Sequence, residues 1–299
     1  LDADPRSRMP GGASRLWVAV ISAAIVAGLF LLLITKTAGF PNCADESSFS
    51  SEREQRTLGM ASYLEDVARQ ANISQSAITF DSNLDCMHWG MLPSEAVAVL
   101  AAARAARITH FFESGVSYGQ STEFFCRTFE TWHPRVHFAG VDRDERKLLK
   151  FTSARLHQRN HTVELVRGKA EAFLTKQLRA LSNGNRVGIM LDGPKGLDAL
   201  QLGENLMKAY PQVAFFAIHD VNTVEYPISV FDAITSKAAL WTGDGKWRSS
   251  FGSLDIHCNA KMKSYRYPCH EARVKKGLGI AIVAGKQLHQ AAMRRKRGE

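Results

Sequence analysis

Cysteine is scarce: five residues in 299, an odd number, far too few for a fold stapled by disulfides. No internal repeat is evident, and the dinucleotide signature G-x-G-x-x-G is missing from the chain's glycine turns. Charge of one sign is also in short supply within the body of the chain. The formal net charge is +9, but five of those nine charges sit in residues 1–36 and 291–299. The charge therefore gives no strong argument for a nucleic-acid partner. With 45% hydrophobic and 22% charged residues the chain is not a disordered one, and its length allows one large domain or two small ones.

One long apolar run is present. Leu16–Ile34 reads LWVAVISAAIVAGLFLLLI, 19 residues without a charge. As a helix it spans about 28 Å, close to the hydrocarbon core of a bilayer. Arg6, Arg8 and Arg15 precede it and Lys36 follows. The positive-inside rule then puts the N-terminus in the cytosol and the rest across the membrane. Two alternatives are a cleaved signal peptide, whose apolar region is usually about 7–15 residues, and a buried core helix, which would carry a polar face. The expected layout is a cytosolic tail (1–15), a transmembrane signal anchor (16–34), a polar stem (35–76) with a helical stretch near 54–70, a folded domain (77–290) and a basic tail (291–299). The tail's Arg294–Arg297 read as a solvated terminus or as a contact for acidic glycans.

A lumenal location fits the triplets Asn72-Ile73-Ser74 and Asn160-His161-Thr162, both glycosylation acceptors by pattern. Cys258 and Cys269 lie eleven residues apart in a loop-like stretch and can pair there, while Cys43 can cross-link two chains. Cys126 falls in an apolar helical pattern and reads as core.

After residue 90 helices alternate with short apolar runs. Pro93-Ser94-Glu95 opens a helix to about Ala106. Strands are expected at Thr109–Glu113, Val136–Asp142, Val163–Arg167, Val187–Asp192, Ala214–Asp220 and Gly279–Ala284. Helices are expected near 120–132, 144–159, 169–182 and 197–209. Such alternation predicts an α/β fold: a Rossmann-like, doubly wound, mostly parallel sheet with ligands at the carboxyl ends of its strands. The acidic and glycine residues gather at those ends. The first strand runs into Glu113-Ser114-Gly115-Val116-Ser117-Tyr118-Gly119-Gln120-Ser121-Thr122, where two glycines permit a tight turn and Ser121 or Thr122 can cap the next helix. Glu113 would repel a pyrophosphate but can accept hydrogen bonds from an ammonium group. Asp142 ends the second strand, Gly168-Lys169-Ala170 follows the third, Asp192-Gly193-Pro194-Lys195-Gly196 the fourth, and His219-Asp220-Val221 closes the fifth.

The spacing E-x-G-x-x-x-G after the first strand resembles the motif of class I S-adenosylmethionine (AdoMet)-dependent methyltransferases, over roughly residues 90–285. The resemblance implies a seven-stranded sheet. It also implies that Glu113, Ser114, Gly115, Ser117, Gly119, Gln120 and Ser121 hold the methionyl part of the cofactor, Asp142 the ribose, and Lys169 and Ala170 the adenine. The D-G-P-K-G and H-D-V motifs are similar to those of membrane-anchored Golgi polysaccharide 4-O-methyltransferases and of bacterial sugar and small-molecule O-methyltransferases. That implies a glycan or small-molecule hydroxyl as acceptor, with Asp192, His219 and Asp220 as catalytic candidates. Histidine's ordinary pKa of about 6.5 suits a base, and Asp192 with Asp220 can hold a divalent cation. Lys195 reads as a partner for an acidic sugar or as a solvated loop charge. Trp241, Trp247, Tyr265 and Tyr267 lie in an irregular stretch (241–272) and suit carbohydrate stacking or covering of a core edge. The loop 81–92, with Asp85, His88 and Trp89, can close over the cofactor. A nicotinamide-dependent oxidoreductase and a non-catalytic tethered binding module are the rival readings; a nucleic-acid methyltransferase is disfavoured by the absence of an Asn/Asp-Pro-Pro-aromatic motif.

Overall fold

A computed structural model describes residues 51–73, 91–117, 119–132, 134–144, 163–221, 226–255 and 279–298. The expected anchor, Cys43, Cys258, Cys269, Asn160, residues 145–159 of the expected helix 144–159, loop residues 81–90, Tyr265 and Tyr267 lie outside them. Among the described residues no helix is long and apolar enough to cross a membrane.

Seven strands form one sheet: β1 (His110–Ser114), β2 (His137–Asp142), β3 (Val163–Arg167), β4 (Val187–Leu191), β5 (Val213–His219), β6 (Leu240–Trp241) and β7 (Ile280–Ala284). Their order is β3-β2-β1-β4-β5-β7-β6. β1 to β5 run parallel, and β7 runs antiparallel to both its neighbours. This is the doubly wound, mostly parallel sheet that the strand–helix alternation predicts. The inner strands β4 and β5 are buried along their whole length, as near-continuous apolar runs require when both faces are covered.

Side chains alternate between two apolar layers with the period of the strand. Phe111 and Phe215 enter one layer, Phe112 and Phe216 the other. The first layer lies under α1 (Ser51–Gln70), α2 (Pro93–Ala106), α3 (Gln120–Glu130), α7 (Gly245–Phe251) and α8 (Lys286–Lys296); the second lies under α4 (Ala170–Ala180), α5 (Gly196–Ala209) and α6 (Ile228–Lys237). Helix α2 is the centre of the first layer: 12 of its 14 residues are buried. Its alanines let neighbours approach closely, and a helix apolar on every side belongs inside.

The folded body reaches further towards both ends than the expected bounds at 77 and 290. Met60, Ala61, Leu64 and Ala68 of α1 are buried against α2, so this helix is core and not stem. Its polar face is fastened too: Ser250 donates to Glu65 (2.8 Å) and Lys246 to Ser62. At the other end α8 runs through Lys296, and Arg295 pairs with Asp66 of α1 at 3.0 Å. The stretch expected to be an irregular aromatic loop holds β6, α7 and a 3-10 turn (Gly252–Asp255). Trp241 packs edge-on against Phe231, and Trp247 is fully buried with its indole N–H on the Ser94 carbonyl (3.2 Å). Both tryptophans are therefore core. Cys126 is buried and free, as its helical pattern suggests.

If α1 is core, Leu64→Ala empties a fully buried site and is expected to cost about 2–5 kcal/mol. Urea unfolding followed by Trp247 fluorescence measures it; a loss below about 0.5 kcal/mol, the scale of an exposed position, would return α1 to the stem.

Candidate functional site

The register of the parallel strands brings the ends of β1, β2 and β4 level: Glu113 lies beside Gly140 and Met190. The loops that follow converge on one edge. The first of them turns through left-handed backbone at Gly115 (φ 90), Ser117 (φ 49) and Gly119 (φ 75). Gly115 has no room for a side chain, since a Cβ there would stand 2.6 Å from the carbonyl carbon of Asp192. The same contact is bonded from the other side: the Ser114 carbonyl accepts the N–H groups of Asp192 and Gly193, both at 2.8 Å. The glycine loop and the D-G-P-K-G loop are thus held together by backbone.

Glu113 is completely buried, and its carboxyl accepts the hydroxyls of Ser121 and Thr122 at the start of α3. Those two hydroxyls were expected to cap the helix. They hold Glu113 instead, and Gly119 stands at the N-cap with no side-chain cap. Burial pushes the Glu113 pKa up to about 7, against the opposing effect of the two hydroxyls. Asp142 accepts the Ser117 N–H (2.6 Å) and the Asp144 N–H (2.8 Å), so its carboxyl fixes the glycine loop from the β2 side. Lys169 and Ala170 begin α4 at the same edge, with Lys169 exposed. The Ser114 hydroxyl is buried with no hydrogen-bond partner among the described residues. The side chain of Gln120 and all of Tyr118 lie outside the described residues.

Asp192, His219 and Asp220 meet beside this loop. His219 Nδ1 lies 3.2 Å from Asp192 Oδ1 and 3.2 Å from Asp220 Oδ1. Asp220 takes a left-handed conformation (φ 58), a strained turn for a residue with a side chain, which folds its carboxyl back towards the imidazole. Lys195 Nζ bridges the same two carboxylates, at 2.6 Å from Asp220 Oδ2 and hydrogen-bonded to Asp192. Lys195 is therefore neither a free loop charge nor open to an acidic sugar without leaving these partners.

The fifth member, unforeseen from the sequence, is Glu95 of α2, which is 1% exposed. Its Oε2 lies 3.3 Å from His219 Nε2 and accepts the Leu92 N–H (2.9 Å), while Oε1 accepts the Gly279 N–H (2.7 Å). The bond to Leu92 is half of a capping box, and that helix-start pattern was the one sequence signal available.

Both ring nitrogens of His219 face carboxyl oxygens, an arrangement that suits a doubly protonated ring donating on both sides. Burial opposes that charge, but Asp220 and Asp192 overcome it and raise the His219 pKa well above its ordinary value. Asp192 and Asp220 are held low despite burial, chiefly by His219. Lys195 is raised, because the two aspartates outweigh its own desolvation. His219 therefore enters neutral pH already carrying the proton that a base would have to accept. That charge weighs against its expected role as a base.

The donor atoms of Asp192, His219 and Asp220 all lie within 4.8 Å of one another. One nitrogen and two carboxylates suit a divalent ion. Lys195 already neutralises the same carboxylates, so an ion would have to displace its ammonium.

No protein-family model matches the chain, and no curated protein does. Among solved structures it is similar to the SAH-bound methyltransferase PaMTH1 of Podospora anserina: 12% identity, 81% of this chain and 99% of that one covered, TM-score 0.39. The O-methyltransferase TomG of Streptomyces achromogenes, in complex with SAM and involved in tomaymycin synthesis, has 14% identity, 71% and 89% coverage and TM-score 0.39. An O-methyltransferase of Bacillus cereus in complex with SAH has 14% identity, 67% and 84% coverage and TM-score 0.37. At this distance the likeness carries no functional weight.

Two outcomes follow from the site's electrostatics. A buried acid whose pKa is raised by folding leaves stability intact below its unfolded value and lowers it as pH rises through the folded one. From the ordinary 4.5 to about 7, Glu113 should withdraw about 3 kcal/mol as pH rises through that window. Glu113→Gln is expected to flatten the fall in unfolding free energy between pH 5 and 8, read from urea midpoints; an unchanged slope would show that Glu113 does not titrate there. Second, each described hydrogen-bond partner of Glu95 (Leu92 N–H, Gly279 N–H and protonated His219) is a donor, so Glu95→Gln must turn an amide NH2 towards one of them. A cost of about 1–3 kcal/mol is expected, with a lowered His219 pKa by NMR titration; unchanged stability and pKa would remove Glu95 from the cluster.

Proposed function

We propose that the chain is an AdoMet-dependent methyltransferase that methylates a hydroxyl oxygen of a glycan or small molecule. One observation carries this reading: the glycine loop and the Asp192–His219–Asp220 cluster share one edge and are cross-linked through the Ser114 carbonyl. A cofactor cradle and a proton-handling cluster in contact are what transfer to an oxygen needs. The loop fits a ligand that lies close against backbone, given its three left-handed residues and the steric bar to any side chain at Gly115. Gly115, Ser117 and Gly119 would hold the methionyl portion and Asp142 the ribose, while Glu113, shut inside, holds the loop's shape. Bound AdoMet supplies an electrophilic sulfonium methyl.

The chain's own work is alignment and proton removal. Holding an acceptor oxygen in line with the methyl group is worth several kcal/mol. The proton released as the oxygen–carbon bond forms must go to a group at this edge. His219 and Lys195 are cationic, so Asp220, whose Oδ1 has no hydrogen-bond partner among the described residues, takes it, and the two cations stabilise its carboxylate until then. A low carboxylate pKa is no obstacle, because a hydroxyl already bonding a methyl carbon is strongly acidic. The acceptor reaches the aspartates past Lys195, whose side chain is 40% exposed and covers them. The run Leu16–Ile34 would anchor this domain to a membrane, with its site in the lumen.

Calorimetry of AdoMet with the purified chain is expected to give one site, weakened tenfold or more by Asp142→Ala. Asp220→Asn should leave that affinity within about threefold. It should lower transfer of labelled methyl to a panel of glycans and small hydroxyl compounds by about 10²–10⁴-fold, the usual worth of a positioned base. No AdoMet binding, or binding of NAD in its place, overturns the cofactor reading; undiminished transfer by Asp220→Asn overturns the assignment of the base.

A further inference from the structure

The opposite end of the sheet holds a cleft of about 680 Å³. Arg104 and Arg107 reach it from the end of α2, Arg186 from the entry to β4, and Arg294 and Arg295 from the end of α8, beside the ring of Tyr63. No Asp or Glu lines it among the described residues. Arg295 has a carboxylate partner in Asp66, Arg186 donates to the Ala106 carbonyl (3.3 Å), and Arg104 lies over the Trp132 ring. Arg107 and Arg294 have no ion-pair partner among the described residues.

Helix C-termini favour cations by about 0.3–1 kcal/mol each, which accounts for single arginines on α2 and α8. It does not account for Arg186, which precedes a strand. Nor does it account for five arginines lining one concavity with no Asp or Glu among the described lining residues. Arg107 also stands in left-handed backbone (φ 51), at a position where glycine is the usual and less strained choice.

We propose that this cleft binds a small polyanion, a molecule carrying two or more phosphate or sulfate groups. Guanidinium groups match such oxyanions with paired N–H donors. The volume falls within the range of about 300–1,000 Å³ usual for small-molecule sites. A strand of five residues at about 3.3 Å each separates this end from the carboxyl edge by about 17 Å. The ligand is therefore not the methyl acceptor, and the site stands independently of the proposed reaction. Arg294, at the C-terminal end of the chain, becomes a ligand-binding residue.

Calorimetric titration of the full chain with sodium tripolyphosphate, at fixed ionic strength, tests this. One site per chain is expected, weakening as NaCl rises. The double variant Arg107→Gln/Arg294→Gln should lose tenfold or more in affinity. Lys176→Gln/Lys208→Gln removes the same charge from the helices of the other face and should stay within twofold. Circular dichroism checks that each variant folds; if the arginine double does not, Arg294→Gln alone, on an exposed helix position, should still lose threefold or more. No binding at millimolar tripolyphosphate, or equal losses in the two double variants, overturns the proposal in favour of diffuse charge attraction.

Discussion

The carboxyl of Glu95 holds three parts of the chain in one relation. It takes the N–H of Leu92, which starts α2, the N–H of Gly279, which leads into β7, and it faces His219 at the end of β5. A buried carboxyl and a buried imidazole each cost several kcal/mol to take out of water, and they are tolerated only as a fully bonded set. Each member therefore depends on the others. The N-terminus of α2 is further stitched by Asp255, which accepts both the N–H and the hydroxyl of Ser94 (2.9 and 2.6 Å). Burial pushes the Asp255 pKa up to about 7, in spite of those bonds. The helix at the heart of the core is thus also the back wall of the site.

That coupling explains how a site at the tips of loops can keep a fixed geometry. Loops are ordinarily the loosest parts of a fold, yet here each has a specific fastening. Asp142 holds the glycine loop, the Ser114 carbonyl holds the β4 loop, and Lys195 ties the β4 loop to Asp220. Asp220 accepts backbone strain to stay within reach of His219. A reacting oxygen gains from such positioning only if the groups are set before it arrives.

The strands were legible as apolar runs ending near glycine or an acid, most clearly in β4 and β5, which are buried throughout. Six of the seven follow that pattern; β6, two residues long, carries too little sequence to show a period. Helix α1 was visible as a helix but read as stem, since its buried stripe of Met60, Ala61, Leu64 and Ala68 is diluted by charged neighbours. Glu113, Asp142, Asp192 and His219-Asp220 could be picked by their position after strands. What they bond to could not. The partner of His219 lies 124 residues away in sequence, and Ser121 and Thr122 had an equally plausible local use as caps. The tryptophans misled for a related reason: an aromatic in an apparently irregular stretch gives no sign of which side it faces.

Placing the charges in space alters what the net charge means. The carboxyl edge gathers Glu95, Asp192 and Asp220 around two internal cations, and the amino edge gathers five arginines with no carboxylate among the described lining residues. Helix α2 contributes to both ends, through Glu95 in its first turn and Arg104 and Arg107 at its close. That is the sense in which a helix dipole favours charges, acids at the start and bases at the finish. The dipole is too weak, at under about 1 kcal/mol per charge, to account for either cluster. Each end instead has its own reason: the acids surround a histidine they keep protonated, and the arginines surround a space. The acids have internal cations as partners, whereas Arg107 and Arg294 have no ion-pair partner among the described residues and are the more dependent on what enters from solution.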